Sequence, residues 1–218
     1  MTALRAILGV KRGTTIDLIY HELRRCSIKT RILDRQFKFY QKLCKMTTED
    51  AIVKVMIEVC GDSRWLRYYA NLNDKNGERE MNDREMRIRT SQNSMCKYYC
   101  DLHLTDNKAE IYCSMLSDYY RVIITRWRLS NHRLNIVTGR YTNPITVRND
   151  RVCTLCKVVE DEQHVIFECP RYSNIRNQYN HLIINRNINS FLQPGYNNMI
   201  DTASFIYAIE AERSDLKL

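Results

Sequence analysis

Three cysteines and one histidine lie close together in the last third of the chain. They are Cys153, Cys156, His164 and Cys169, in the spacing C-x2-C-x7-H-x4-C. Two cysteines separated by two residues can direct both sulfurs to one ion from a tight turn, and the histidine and third cysteine can meet that ion from the next turn or helix. Three thiolates and one imidazole fill a tetrahedral shell and leave no position for a catalytic water. The spacing therefore predicts one structural Zn2+ ion.

The sequence on either side of this motif is compatible with a small metal-binding module. An irregular stretch at 141–150 contains Pro144 and precedes the motif, and Pro170 follows it directly. The acidic run 160–162 is placed to begin the helix that carries His164, where carboxylates interact favourably with the helix dipole. The alternative is a set of three buried cysteines and a hydrogen-bonded histidine without a metal.

Positive charge is concentrated in two parts of the sequence. The chain of 218 residues has 34 Lys and Arg against 25 Asp and Glu, which gives a formal net charge of +9. Residues 1–45 hold 11 basic and 3 acidic side chains, and residues 121–151 hold 7 basic and 1 acidic. Clustered Lys and Arg attract polyanions because they release the counterions condensed on phosphates. The distribution predicts RNA or DNA as a partner, and a solvated helix face is the alternative.

The basic side chains of the second segment are all arginines, which can form paired hydrogen bonds with phosphate and stack on bases. Tyr141, in irregular sequence beside Gly139, is the better aromatic candidate for stacking, whereas Trp127 is expected in the core. His132 either contacts phosphate or hydrogen-bonds the metal module to the preceding helix. The predicted nucleic-acid-binding residues are Arg126, Arg128, Arg133, Arg140, Tyr141, Arg148 and Arg151.

Several parts of the sequence resemble one protein family. The strings in the C-terminal half are LSNHRLNIVTGRY at 129–141, RVCTLC at 151–156, EDEQH at 160–164 and CPRY at 169–172. Together they resemble the zinc-binding region downstream of the polymerase in animal non-LTR retrotransposon reverse transcriptase polyproteins. LRAILGV at 4–10 and DLIYHEL at 17–23 resemble the helical segment just after the polymerase in the same proteins.

The resemblance implies nucleic-acid binding in support of target-primed reverse transcription, with Cys153, Cys156, His164 and Cys169 as the zinc ligands. It does not imply catalysis, because the sequence has no Tyr-x-Asp-Asp polymerase motif and no acidic endonuclease cluster. We therefore expect a non-enzymatic chain whose partners are RNA or DNA, together with a reverse transcriptase or endonuclease supplied by the parent element. A zinc-stapled structural or protein-interaction module without nucleic-acid binding is the alternative function.

The elements that must position these residues are predicted to be helices. Six Gly and three Pro leave little material for tight hairpins. Apolar spacing predicts helices at about 14–27, 30–45, 47–60, 61–69, 78–101, 107–129, 131–139, 172–187 and 198–213. The fold prediction is an all-α, helical bundle-like chain with a small zinc-stabilised module near the C-terminal third.

Three segments follow from this pattern. Residues 1–72 form a helical region like the post-polymerase segment, and residues 78–129 form a long-helix connector. Residues 130–218 contain the zinc module and C-terminal helices, which should cover the apolar side of the module.

The remaining cysteines and the apolar content limit the class of protein further. Nine cysteines are an odd number, which excludes a complete disulfide framework and favours reduced thiols. A second metal site at Cys96, Cys100, His103 and Cys113 is conceivable, but small buried cysteines explain these residues more simply. The apolar runs are far shorter than the roughly 20 residues that cross a bilayer, and no signal peptide is apparent. We expect an intracellular protein, nuclear or cytoplasmic, that does not associate with membranes.

Overall fold

The computed structural model describes residues 2–45, 76–91, 99 and 112–214. Within these residues the chain is helical and contains no strand, apart from one isolated antiparallel bridge between Val152 and Val159, so the predicted all-α class is confirmed. The α-helices are α1 (Thr2–Leu8), α2 (Ile16–Glu22), α3 (Ile28–Lys45), α4 (Asn76–Thr90), α5 (Tyr112–Met115), α6 (Asp118–Arg128), α7 (Asn135–Thr138), α8 (Ser173–Gln178), α9 (Asn180–Ile183), α10 (Ile188–Leu192) and α11 (Met199–Ser214). Shorter helical turns occupy Arg148–Asp150, His164–Glu168, Pro170–Tyr172 and Tyr196–Asn198.

Helix α1 packs directly against α6 because the chain leaves α1 through a glycine. Gly9 has a φ of +63°, a left-handed conformation that L side chains rarely adopt. A Cβ atom at this position would lie only 2.3 Å from Cγ1 of Val122. The carbonyl of Gly9 also accepts a hydrogen bond of 2.8 Å from Arg126 Nε. These contacts join the start of the chain to α6, 117 residues later.

Ion pairs and polar contacts hold α4 against α2 and the start of α3. Asp17 on α2 accepts hydrogen bonds from Arg84 at 3.2 Å and from Arg87 at 2.9 Å. Glu80 on α4 accepts a hydrogen bond of 3.0 Å from the backbone N–H of Ser27. Because Ser27 directly precedes α3, this carboxylate occupies the positive end of the α3 dipole, where a negative charge is favourable.

One hydrophobic core runs from α6 through the metal motif to α11. Its fully buried side chains include Ile124, Trp127, Val165, Ile166, Phe205, Ile206 and Ile209. Phe191 on α10 makes edge-on contacts with Phe167 beside the metal motif, at 6.3 Å between ring centroids, and with Phe205 on α11, at 5.2 Å. The C-terminal helices therefore cover the apolar side of the module, as predicted. The core contains residues from the predicted connector at 78–129 and from the predicted segment at 130–218. The two segments therefore pack together.

A buried carboxylate connects α2 to α5, α6 and α10. Glu22 is fully buried and accepts hydrogen bonds from Arg128 Nε at 2.6 Å, from the hydroxyl of Tyr99 at 2.8 Å and from the hydroxyl of Tyr112. Arg128 also donates to the carbonyl of Leu192 at 2.6 Å. Burial alone would raise the pKa of Glu22, but Arg128 and the two tyrosines keep that pKa below its usual value.

Several helices differ in their ends from the sequence prediction. The described part of the helix predicted at 107–129 is interrupted after Met115. Helix α6 begins after Ser117, whose backbone is extended. The predicted helix at 172–187 is divided at Tyr179. The predictions of one continuous helix at 107–129 and of another at 172–187 were therefore wrong. Apolar periodicity does not reveal a break when the helices on either side of the break bury the same face.

Two further differences arise from local backbone chemistry. Helix α2 ends at Glu22 rather than near 27, since Arg24 adopts a left-handed φ of +46°. Helix α10 was not predicted; the side chain of Asn187 caps it by accepting hydrogen bonds from the N–H groups of Asn189 and Ser190. The helices predicted at 47–60 and 61–69 lie outside the described residues. No helix among the described residues is long and apolar enough to cross a lipid bilayer.

Candidate metal centre

A tight turn presents the first two cysteines of the motif. Hydrogen bonds from Cys153 N–H to the carbonyl of Val158 (2.7 Å) and from Lys157 N–H to the carbonyl of Cys153 (3.0 Å) close the turn. Lys157 has a φ of +59°, a left-handed conformation that costs about 1–2 kcal/mol for an L side chain. The turn brings the sulfurs of Cys153 and Cys156 to one point.

A short helix presents the histidine and the third cysteine. Asp161 caps its first turn, because the carboxylate accepts a hydrogen bond of 3.0 Å from His164 N–H. At about 3.6 residues per turn, two residues five apart would lie about 140° apart around an α-helix. The last turn is π-helical instead, with Cys169 N–H donating to the carbonyl of His164 at 2.8 Å. This wider turn brings Cys169 back toward the face that carries His164.

The four side chains converge in a geometry suited to a metal ion. The potential ligand atoms of Cys153, Cys156, His164 and Cys169 all lie within 4.8 Å of one another. The sulfur of Cys169 is 3.9 Å from that of Cys153 and 3.8 Å from that of Cys156. A disulfide would require about 2.05 Å. Sulfurs bound to one tetrahedral ion at about 2.3 Å would be about 3.8 Å apart, close to the observed separations.

The histidine has no hydrogen-bond partner within the protein. Both ring nitrogens of His164 are buried, and neither forms a hydrogen bond. The nearest carboxylate oxygen is that of Glu168, 3.6 Å from Nδ1, which is beyond hydrogen-bond distance. Buried polar atoms are nearly always satisfied, and a metal bond to one nitrogen would account for this unpaired imidazole.

The pKa values of the Cys153 and Cys169 thiols are shifted in opposite directions. Burial raises the pKa of the Cys153 thiol, but the backbone N–H groups of Cys156 and Leu155 and the nearby imidazole of His164 outweigh burial and lower this pKa to about 7. Burial and the neighbouring sulfurs raise the pKa of Cys169 to about 12. A divalent cation between the sulfurs favours the thiolate form of each, because thiolates are the form that binds metal.

An arginine holds the backbone behind the third cysteine. Arg176 on α8 donates to the carbonyl of Cys169 and, at 3.4 Å, to the carbonyl of Val165. The guanidinium thus satisfies carbonyls at the end of the ligand-bearing helix. Its positive charge also lies near a centre in which three thiolates and one divalent ion would leave a net charge of −1.

His132 connects the metal motif to α6. The side chain is buried, and its Nε2 lies 2.7 Å from a carboxylate oxygen of Glu162, which also accepts a hydrogen bond of 3.2 Å from Ser130. The imidazole packs on Trp127 with 4.9 Å between ring centroids. Of the two roles considered for His132, the structure supports the structural one. Trp127 lies in the core, as predicted.

A second carboxylate of the acidic run connects the module to α7 and α11. Glu160 is buried and accepts hydrogen bonds from the backbone N–H of Asn135 at 2.8 Å and from Arg213 at 2.7 Å. The carboxylates of Glu160 and Glu162 therefore join elements together, whereas Asp161 caps the helix. Position in the sequence could not separate these roles, because all three residues are acidic and adjacent.

The predicted role of Arg128 is wrong. Its side chain is 0% exposed, and its guanidinium is held between the carboxylate of Glu22 and the carbonyl of Leu192. A polyanion on the surface cannot reach this group. The partner of Arg128 lies 106 residues away in the sequence, so no local pattern indicated a buried ion pair.

Two other predicted arginines hold the backbone in place. Arg126 donates to the carbonyl of Gly9, and Arg151 donates to the carbonyls of Thr146 and Ile136 at 2.9 and 2.8 Å. The Arg151 side chain also occupies the space above Gly139, where an added Cβ would lie 2.7 Å from Cγ. Both arginines are half-buried, and phosphate contacts by them stay a prediction.

The remaining predicted residues lie at or near the surface. Arg133, Tyr141 and Arg148 are exposed, whereas Arg140 is half-buried and two of its nitrogens have no acceptor. The ammonium of Lys11 lies 5.2 Å above the centre of the Tyr141 ring. The sequence analysis did not predict a role for Lys11. The only indication of such a role in the sequence is that Lys11 belongs to the basic segment at 1–45.

Of the second set of potential ligands, Cys96, Cys100 and His103 lie outside the described residues. Cys113 is half-buried on α5. Within the described part of the chain, the only group of three or more potential ligands is the one at 153–169. Comparisons of the chain with protein-family models, with curated proteins and with solved structures give no match.

Proposed function

We propose that this chain is a non-catalytic, zinc-dependent segment that binds RNA or DNA, derived from the C-terminal part of a non-LTR retrotransposon reverse transcriptase. In its parent element it would support target-primed reverse transcription. One observation carries the nucleic-acid part of this proposal: residues of the two basic segments meet at one surface, where Lys11 covers the ring of Tyr141.

The assignment of zinc follows from the donor set. Three sulfurs and one imidazole in a tetrahedral arrangement are typical of Zn2+, whereas iron–sulfur clusters generally require four cysteines and Ca2+ or Mg2+ prefers oxygen. All four positions of such an ion would be filled by Cys153, Cys156, His164 and Cys169, which leaves none for substrate or water. The ion would therefore stabilise the fold rather than take part in a reaction.

The surface at which Lys11 meets Tyr141 has the chemistry that nucleic acids require. Lys11 and Arg133 are exposed cations that line one depression together with Asn131, whose side chain accepts a hydrogen bond of 3.4 Å from Lys11 N–H. The Tyr141 ring is 56% exposed and can stack on a base while neighbouring cations contact phosphates. Arg148 adds a further exposed guanidinium on the short helical turn before the first cysteine.

The origin in a retrotransposon rests on the motif strings at 129–141 and 151–172, which surround the proposed metal site. A separate polymerase or endonuclease would supply the catalysis. The competing function is a zinc-stapled protein-interaction module, which would bind neither RNA nor DNA.

Binding measured by fluorescence anisotropy, with labelled RNA and DNA over a series of salt concentrations, tests the proposal. We expect Lys11→Gln with Arg133→Gln to reduce affinity and to lower the slope of log K against log salt by about two, since each phosphate contact contributes roughly one. Arg79→Gln with Arg186→Gln removes the same charge from exposed positions elsewhere and is the matched control. Equal binding by both double variants, or no binding by the unaltered chain, would overturn the proposal.

A further inference from the structure

A long groove runs between α6 and α11 and continues along the loop after α1. The part between the helices has a volume of about 780 Å3, and the adjoining part has a volume of about 320 Å3. Arg126, Arg133 and Glu210 line both parts, so the two form one continuous depression. We refer to it as the α6–α11 groove. The volume of each part is in the range of ligand-binding sites.

One end of the groove is aromatic. Tyr119 on α6 is 55% exposed, and Tyr207 on α11 is 47% exposed. Their rings contact each other edge-on, with 5.6 Å between the centroids. Val122 and Ile123 line the same end beside them. This arrangement places two aromatic rings at the surface, one on each helix.

The other end of the groove is cationic. Lys11, Arg126 and Arg133 line it, and Lys11 leads directly to the exposed ring of Tyr141. The acidic side chains along the groove are already engaged by neighbours. Glu210 accepts a hydrogen bond of 3.0 Å from the Trp127 indole. Asp118 forms an ion pair with Arg121, at 2.8 Å.

The aromatic and cationic ends of the groove lie along the same helix, α6. Tyr119 and Arg126 are seven residues apart on α6, which is two helical turns and about 10 Å along the axis. An extended ligand lying in the groove would therefore meet aromatic rings first and cations next. Compact ligands such as free phosphate would use only one end.

We infer that the α6–α11 groove binds single-stranded nucleic acid, with bases stacked on Tyr119 and Tyr207 and phosphates contacting Lys11 and Arg133. The inference rests on the proposed function and adds to it the form of the nucleic acid and the place where it binds. Bases in a duplex are stacked on one another and cannot offer their faces to the tyrosines, whereas bases in a single strand can.

The test compares two nucleic acids of equal phosphate number, a single-stranded oligo(dT) of about 12 nucleotides and a duplex hairpin, by anisotropy at one fixed salt concentration. We expect Tyr119→Ala and Tyr207→Ala each to weaken single-strand binding about fivefold or more and to leave duplex binding unchanged. Tyr196→Ala is the matched control, since Tyr196 is 65% exposed and does not line the groove.

The outcomes separate this inference from the proposed function. If the groove variants bind the single strand as Tyr196→Ala does, the inference is overturned, although the loss caused by Lys11→Gln with Arg133→Gln would still support nucleic-acid binding. Competition by poly-glutamate as strong as that by unlabelled oligo(dT) would overturn it as well, since binding would then depend on negative charge and not on stacked bases. Circular dichroism of each variant checks that the fold is retained.

Discussion

Backbone geometry at single residues brings the four candidate ligands together. The left-handed Lys157 closes the turn between the first two cysteines, and the π-helical bond between Cys169 and His164 rotates the last ligand toward the others. The ligand types and their spacing were predictable from the sequence. The π-helical turn was not predictable from the sequence, because it depends on the direction that the chain takes after the turn.

Lys157 gives a residue-scale prediction. We expect Lys157→Gly to fold with unchanged or slightly higher stability, because relief of left-handed strain offsets the greater freedom of glycine in the unfolded chain. Lys157→Val should unfold more easily by about 1–2 kcal/mol, because a β-branched residue resists a φ of +59° most strongly. Urea unfolding of the metal-loaded proteins measures both values. Equal stability of the two variants would argue against the turn described.

Arg128 shows where the sequence misled. An arginine in a basic segment looked like a phosphate contact, yet its partner is Glu22 in the core. We expect Arg128→Met to destabilise the protein by about 3–5 kcal/mol, because it leaves a buried carboxylate unpaired. Glu22→Leu combined with Arg128→Met should recover most of that loss. A stable Arg128→Met variant with a reduced salt slope for nucleic-acid binding would restore the original interpretation.

At the scale of elements, close backbone approach decides how the helices assemble. Periodicity predicted most of the described helices but not their contacts, which depend on residues distant in the sequence. Gly9 is one example: the sequence shows only a glycine after an apolar run, and the reason for it is Val122, 113 residues later. The short capped helix α10 is another, because its Asn187 cap lies in a stretch with little apolar periodicity.

The contact between α1 and α6 can be tested with two glycines. We expect Gly9→Ala to destabilise the protein by about 2–4 kcal/mol, from left-handed strain together with overlap against Val122. Gly195→Ala is the control, because it has an ordinary φ of −62° and no atom within 4 Å of the added Cβ. The control should be neutral or slightly stabilising, by at most about 1 kcal/mol. Similar thermal unfolding of both variants would contradict the α1–α6 packing.

His21 on α2 gives the fold a dependence on pH. Burial, followed by the nearby charge of Arg24, lowers the pKa of His21 from 6.5 to about 4. Between these values the unfolded chain takes up a proton that the folded chain does not, so stability falls as the pH decreases from 6.5 toward 4. We expect His21→Gln, with metal present in both proteins, to reduce the dependence of the melting temperature on pH in this interval. An unchanged dependence would show that His21 is not buried in its neutral form.

At the scale of the whole molecule, the metal motif is part of the central core rather than an appendage. Cys153 and Cys169 are buried beside Val165 and Ile166, and buried carboxylates join the motif to the loop after α6, to α7 and to α11. The sequence predicted a module and helices that cover it. It could not predict that the N-terminal helices would share the same core, since that follows from contacts of long sequence separation.

Because the motif belongs to the shared core, we expect the loss of metal to destabilise helices outside the motif as well. Removal of the ion by a chelator should lower the melting temperature of the whole described fold by at least about 5 °C in one cooperative transition. A second, independent unfolding transition that involves only the motif would contradict the prediction of a single cooperative transition. Circular dichroism at helical wavelengths distinguishes these cases, because α6 and α11 would melt together with the motif.

The central claim is that the four side chains at 153–169 hold one zinc ion. Native mass spectrometry of untagged protein, purified without added metal, tests it most directly, together with Cys156→Ser and Cys113→Ser as the matched control. We predict one zinc per chain in the unaltered protein and in Cys113→Ser, and none or a weakly retained fraction in Cys156→Ser. Protein that carries no metal, or equal zinc in Cys156→Ser, would contradict the account.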